Sequence, residues 1–253
     1  MRKILWTVFH SGKKLLLWSI YSIFAGYIIY LAATSPKLES KLFFSVVGIA
    51  ALAVTLLFEY LKRSYEKMIC ALTFDCDIIK AEQLKKQLYK ADLFKGFTGS
   101  LRIFDALLLM DKGHYNECLE HLAKNEKFFR STFDYLFIYY HTQLHCFYFL
   151  EEFEKADTAL ESLTKLKQLK TKQISPLYSW SEIEGIKYYV QGRNKKSLEA
   201  FEQVDTSRLN NRELAYLYYM QGRSTVKSGA VSDGNRLLKE ARTLGNTLHL
   251  TTI

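Results

Sequence analysis

Two long uncharged runs dominate the hydropathy pattern of the amino-terminal quarter. From Leu15 to Ala33 the chain reads LLLWSIYSIFAGYIIYLAA, nineteen residues without a charge. From Leu42 to Phe58 it reads LFFSVVGIAALAVTLLF, seventeen more, continued past Glu59 by Tyr60 and Leu61. About 20 apolar residues at 1.5 Å each cross the hydrocarbon core of a bilayer. The pattern therefore predicts a transmembrane helical hairpin over 15–61. The first run is long for a signal sequence and a second follows at once, which favours an uncleaved hairpin. Between Leu42 and Phe74 there is no proline and only Gly48, so the second span is expected to continue as one helix beyond the membrane.

The pattern changes after residue 62. A further apolar run, FDYLFIYYHTQLHCFYFL (133–150), carries Asp134, His141, Gln143 and His145, which are expensive in lipid. It reads as a helix of the repeat rather than a third span. Only two prolines and twelve glycines occur in 253 residues, which predicts an all-α chain, since proline breaks helices and glycine weakens them.

Three stretches align: KGHYNECLEHL (112–122), LEEFEKADTAL (150–160) and QGRNKKSLEAF (191–201). SGAVSDGNRLL (228–238) makes a fourth and FDCDIIKAEQLKK (74–86) a weaker fifth. In each, a turn residue precedes a new helix with a small residue and then a bulky apolar one. The turn positions 76, 113, 151, 192 and 229 are spaced by 37, 38, 41 and 37. Five helix–turn–helix units stacked on one another would bury faces that no single pair buries alone.

Charge refines this organisation. The net +9 divides unevenly: residues 1–67 hold nine Lys/Arg against three acidic residues, and 68–253 hold 26 against 23. A nucleic-acid footprint would lie as a basic stripe on a folded domain, whereas here the excess flanks the spans. Arg2, Lys3, Lys13 and Lys14 precede the hairpin and Lys62, Arg63 and Lys67 follow it, while its loop holds only Lys37 and Lys41. Lys and Arg resist translocation, so both termini are expected in the cytoplasm. The expected division is a basic cytoplasmic segment 1–14, the hairpin 15–61 and a cytoplasmic solenoid 62–253. Neither span has an ionisable residue at its middle, so the hairpin reads as an anchor. Lys-, Phe-, Tyr- and Ile-rich usage with little proline suits an AT-rich bacterium and a bacterial cytoplasmic membrane.

The repeat resembles the tetratricopeptide repeat family. The resemblance rests on Gly185, Tyr188, Gly192, Ser197, Phe201 and Val204 in one unit and Gly222, Gly229, Gly234, Leu238 and Ala241 in the last. Ala106, Gly113, Tyr115, Cys118 and Leu122 carry it in an earlier unit. Phe153, Ala156 and Leu160 fit in a unit that departs from the pattern at Leu144 and Glu151. The period exceeds the family's usual length, and an unrelated α-solenoid is the alternative. The resemblance implies a concave groove that holds a protein or peptide partner. In its register that groove is lined by His141, His145 and Tyr148, by Glu182 and Tyr189, and by Tyr216, Tyr219, Arg223 and Lys227.

HTQLH (141–145) sets two histidines on one helix face, the spacing of a zinc pair. A metalloprotease helix needs Glu after the first His; here Thr142 stands there, and the sequence does not clearly supply a third ligand. No phosphate loop, nucleophile–base motif or cysteine cluster appears, and the four cysteines read as free thiols. No metal, cofactor or catalytic residue is assigned. The expected function is a membrane-anchored adaptor that binds a protein at the cytoplasmic face. The alternatives are an accessory subunit of an integral membrane complex acting through its hairpin, and a His-based hydrolase.

Overall fold

The computed structural model describes residues 19–169 and 179–250, and every regular element among them is helical. The chain divides into two units, one up to Arg63 and one from Ser64.

The first unit contains α1 (Ser19–Thr34) and the first part of α2 (Leu38–Thr73). α2 is 36 residues long without a break, as the absence of proline from Leu42 to Phe74 predicts. Its apolar window has a mean hydropathy of 2.3 and no buried residue. Among the described residues it is the one helix long and apolar enough to cross a membrane. The described part of α1 is apolar but shorter, so among the described residues a full span is shown only at α2. Residues 15–18, which open the first uncharged run, and the basic segment 1–14 lie outside the described residues. Gly48 faces Ile28, whose side chain fills the space a Cβ would need, whereas Gly26 has nothing within 4 Å.

The second unit is a succession of helix pairs. The end of α2 leads through Cys76 into α3 (Ile78–Ala91), and α4 (Thr98–Asp111) leads through Gly113 into α5 (Tyr115–Lys124). After the single turn α6 (Glu126–Phe129), α7 (Phe133–Leu150) is followed past Glu151 by α8 (Phe153–Leu169). Gly192 joins α9 (Trp180–Val190) to α10 (Asn194–Glu202), and Gly229 joins α11 (Asn211–Lys227) to α12 (Val231–Gly245). All five turn residues, 76, 113, 151, 192 and 229, have positive φ, between 50° and 102°. Glycine adopts this conformation freely; at Cys76 and Glu151 it costs about 1–2 kcal/mol. The start signals are local too. The Asp77 carboxylate accepts from Lys80 N–H, the Thr132 hydroxyl from Tyr135 N–H, and Asn210 with Glu213 forms a capping box.

Within the pairs one close approach recurs at a spacing of twelve residues. Cys118 Sγ reaches the Ala106 carbonyl at 3.2 Å, and Ser197 Oγ donates to the Gly185 carbonyl at 2.8 Å. In the last pair a Cβ on Gly234 would lie 2.8 Å from the Gly222 carbonyl oxygen. Bulky residues fill the interior: Phe104, Leu122, Phe129, Leu144, Leu163, Ile186 and Phe201 are all buried. α7, apolar almost all round, belongs to this core.

The second unit also closes on itself. Thr247 donates through its amide and its hydroxyl to the Cys76 carbonyl, at 3.2 and 2.9 Å, and its Oγ1 accepts from Ile78 N–H at 2.8 Å. His249 N–H donates to the Asp111 carbonyl at 2.8 Å, and its ring covers Gly113. Asn211 and Asn246 donate to the carbonyls of Phe74 and Asp75. The last pair is thus tied to the first two turns.

Candidate functional site

Closure brings the inward faces of α4, α7, α9 and α11 together and buries two polar clusters there. The first is centred on the histidine pair. His141 and His145, one turn apart on α7, have ring centroids 4.5 Å apart. The carboxylate of Glu182, on the first turn of α9, faces both. Its Oε1 lies 3.1 Å from His145 Nε2 and 3.8 Å from His141 Nε2. Burial, reinforced by His145 and Arg212, holds the His141 imidazole well below its usual pKa, so the ring is neutral at neutral pH. A cavity of about 20 Å³ adjoins the three side chains, walled by Met110, Thr142, Arg212, Glu213 and Tyr216.

Next to it, Asp111 at the end of α4 is fully enclosed and grips Arg212 at the start of α11. Arg212 Nε lies 2.7 Å from Oδ2 and Nη2 lies 2.8 Å from Oδ1, a bidentate pair. Tyr216 O–H donates to Asp111 Oδ1 at 2.8 Å. Burial first, and then the Asp111 carboxylate, push the Tyr216 phenol far above its ordinary pKa. The guanidinium of Arg212 also covers the Tyr216 ring at 5.1 Å.

The second cluster is aromatic. Arg223 stands 5.2 Å from the ring centres of both Tyr148 and Tyr189 and pairs with Glu151, the left-handed turn residue between α7 and α8. Lys227 lies 4.5 Å from the Tyr189 ring, and Tyr219 packs against Phe149.

Of the nine residues expected to line a partner groove, seven lie in the interior. His141, His145, Tyr148, Tyr189, Tyr216, Tyr219 and Arg223 are all buried; Glu182 is largely covered and Lys227 is exposed. Tyr148, Tyr189, Tyr216 and Tyr219 pack between helices, Tyr148 against Tyr189 at 4.9 Å and Tyr219 against Phe149 at 5.6 Å. The structure also corrects the expectation that nothing supplies a third group beside the histidines: Glu182 does. Asp111 and Arg212 escaped the sequence reading because no local motif pairs residues 101 positions apart.

No protein-family profile matches the chain, and no curated protein matches it in sequence.

Proposed function

We propose that this protein is a membrane-anchored adaptor: a two-span hairpin, both termini cytoplasmic, that holds a tetratricopeptide-like helical-repeat unit at the bilayer surface to recruit a protein partner. The observation that carries the reading is α2, whose uncovered apolar window needs lipid around it and whose far end is the first helix of the repeat. A second observation supports the surface position. The loop after α3 presents Leu93 and Phe94, 74 % and 70 % exposed, beside Lys90 and Lys95. Phe97 of that loop packs on Tyr65 at 5.5 Å, four residues past the end of the apolar run at Leu61. Apolar tips flanked by lysines suit the boundary between acyl chains and anionic headgroups. With the tyrosines enclosed, partner contacts fall on the outer helix faces rather than in a groove.

The topology is tested by Ser40→Cys with a membrane-impermeant maleimide on intact cells. Labelling is expected; a loop that stays unlabelled until the membrane is opened sinks the two-span hairpin. With Trp6, Trp18 and Trp180 replaced by Phe, Phe94→Trp reconstituted into vesicles is expected to be quenched by brominated lipid, and unquenched emission would remove the loop from the bilayer. Recruitment is tested by recovering the chain from solubilised membranes with and without crosslinking. A reproducible cytoplasmic partner is expected, and crosslinking that recovers none overturns the adaptor.

One observation favours a second reading, a subunit working inside the bilayer. α1 and α2 leave between them an apolar cleft of about 480 Å³, walled by Phe24, Ile28, Ile29, Ser45, Ile49 and Leu52, which suits a neighbouring span. Replacing residues 15–61 by an unrelated hairpin separates the two: an adaptor keeps its partner, a membrane subunit does not.

A further inference from the structure

We propose that His141, His145 and Glu182 form a binding site for one divalent transition-metal ion of the zinc class, which fastens α7 to α9. One ligand atom from each residue lies within 4.8 Å of the others, and two of the three separations are 3.1 and 3.8 Å. Tetrahedral zinc, with bonds of about 2.0–2.1 Å, sets its ligands roughly 3.3 Å apart. The His145–Glu182 separation already matches this spacing, the His141–Glu182 one must close by about 0.5 Å, and the third separation is under 4.8 Å.

Their chemistry suits the same class. Two imidazoles and one carboxylate select zinc or cobalt over calcium and magnesium, which prefer all-oxygen sets. His141 is held neutral by burial, and metal binding requires neutral imidazole. Charge points the same way. Glu182 is a largely buried carboxylate whose ion-pair partners among the described residues are these two imidazoles. Asp111 already offsets Arg212, so Glu182 and Glu213 set the sign at the cavity wall, and it is negative.

The adjoining cavity, about 20 Å³, holds about one water molecule, enough to complete four-coordination and too little for a substrate. The ion's role is accordingly structural: it joins the first helices of two successive pairs whose ligands are 37 residues apart. This inference is independent of the membrane reading, because it lies wholly within the second unit.

The test uses the full-length chain in detergent, with any affinity tag removed, stripped by a chelator and then titrated with cobalt(II) and zinc(II). One cobalt per chain with strong tetrahedral visible absorption is expected, displaced by zinc, together with a melting temperature that rises when zinc is added. Glu182→Gln keeps the side chain's shape and should weaken binding at least tenfold while its circular dichroism stays that of the parent. His145→Ala should abolish the cobalt spectrum. A folded parent chain that takes up no stoichiometric metal overturns the site, as does Glu182→Gln binding cobalt as tightly as the parent.

Discussion

At the scale of single residues, the enclosed ionisable groups set how the fold responds to pH. His141 is faced by His145 on its own helix, by Glu182 from α9 and by Arg212 from α11, with Met110 of α4 on the cavity wall. Its folded pKa lies below the unfolded value of about 6.5. The unfolded chain therefore binds the extra proton as pH falls through that value. Stability from this group is complete above about pH 6.5 and declines below it, by at most about 1.4 kcal/mol per pH unit for one proton. Urea unfolding of the metal-free chain from pH 7.5 to 5 is expected to show this slope, and His141→Gln should flatten it. Asp111 behaves differently, because its partner cannot neutralise. Asp111→Ala strands the Arg212 guanidinium in the interior and is expected to cost about 3–5 kcal/mol. The double change Asp111→Leu with Arg212→Met should cost much less. Denaturant unfolding of the two variants measures the difference.

At the scale of elements, the helix pairs depend on two glycine roles that substitution separates. Gly192 has φ +71° and open space where a Cβ would stand. Gly192→Ala is thus expected to lose only the backbone term, about 1–2 kcal/mol. Gly234 is an ordinary helical residue, but a Cβ there would meet the Gly222 carbonyl oxygen and the Val226 amide nitrogen, both at 2.8 Å. Backbone cannot rotate away as a side chain can, so Gly234→Ala must push α12 off α11. A loss of about 1–3 kcal/mol is expected. Gly234→Ala should also lower protection of α11 amides in hydrogen exchange, which Gly192→Ala should leave alone.

At the scale of the whole second unit, the deciding feature is closure. Thr247 joins the last pair to the first turn through bonds to the Cys76 carbonyl and the Ile78 amide. Thr247→Val keeps the shape and removes the hydroxyl, leaving a part-buried amide without its acceptor. A loss of about 1–3 kcal/mol is expected. If closure encloses the histidines and tyrosines, the same variant should speed hydrogen exchange in α7 and α9 as well as at the chain end. Exchange confined to residues near 247 would mean that the two ends contribute independently.

Much of this protein is set by its sequence alone. The turns at 76, 113, 151, 192 and 229, the unbroken α2 and the helical character of every described element follow from local causes: backbone preference, capping side chains, helical periodicity and the placing of proline. The twelve-residue spacing of Ala106 with Cys118, Gly185 with Ser197 and Gly222 with Gly234 is local too, since one turn fixes both partners. Only the tertiary structure decided whether the inward face stays open or fills. That depends on small angles between successive pairs, each set by the packing of many side chains and summed over the whole unit. The sum brings Thr247 to Cys76 and Arg212 to Asp111, and it seats Glu182 against HTQLH. The histidine spacing was legible in the chain; the third group beside it came from a neighbouring pair.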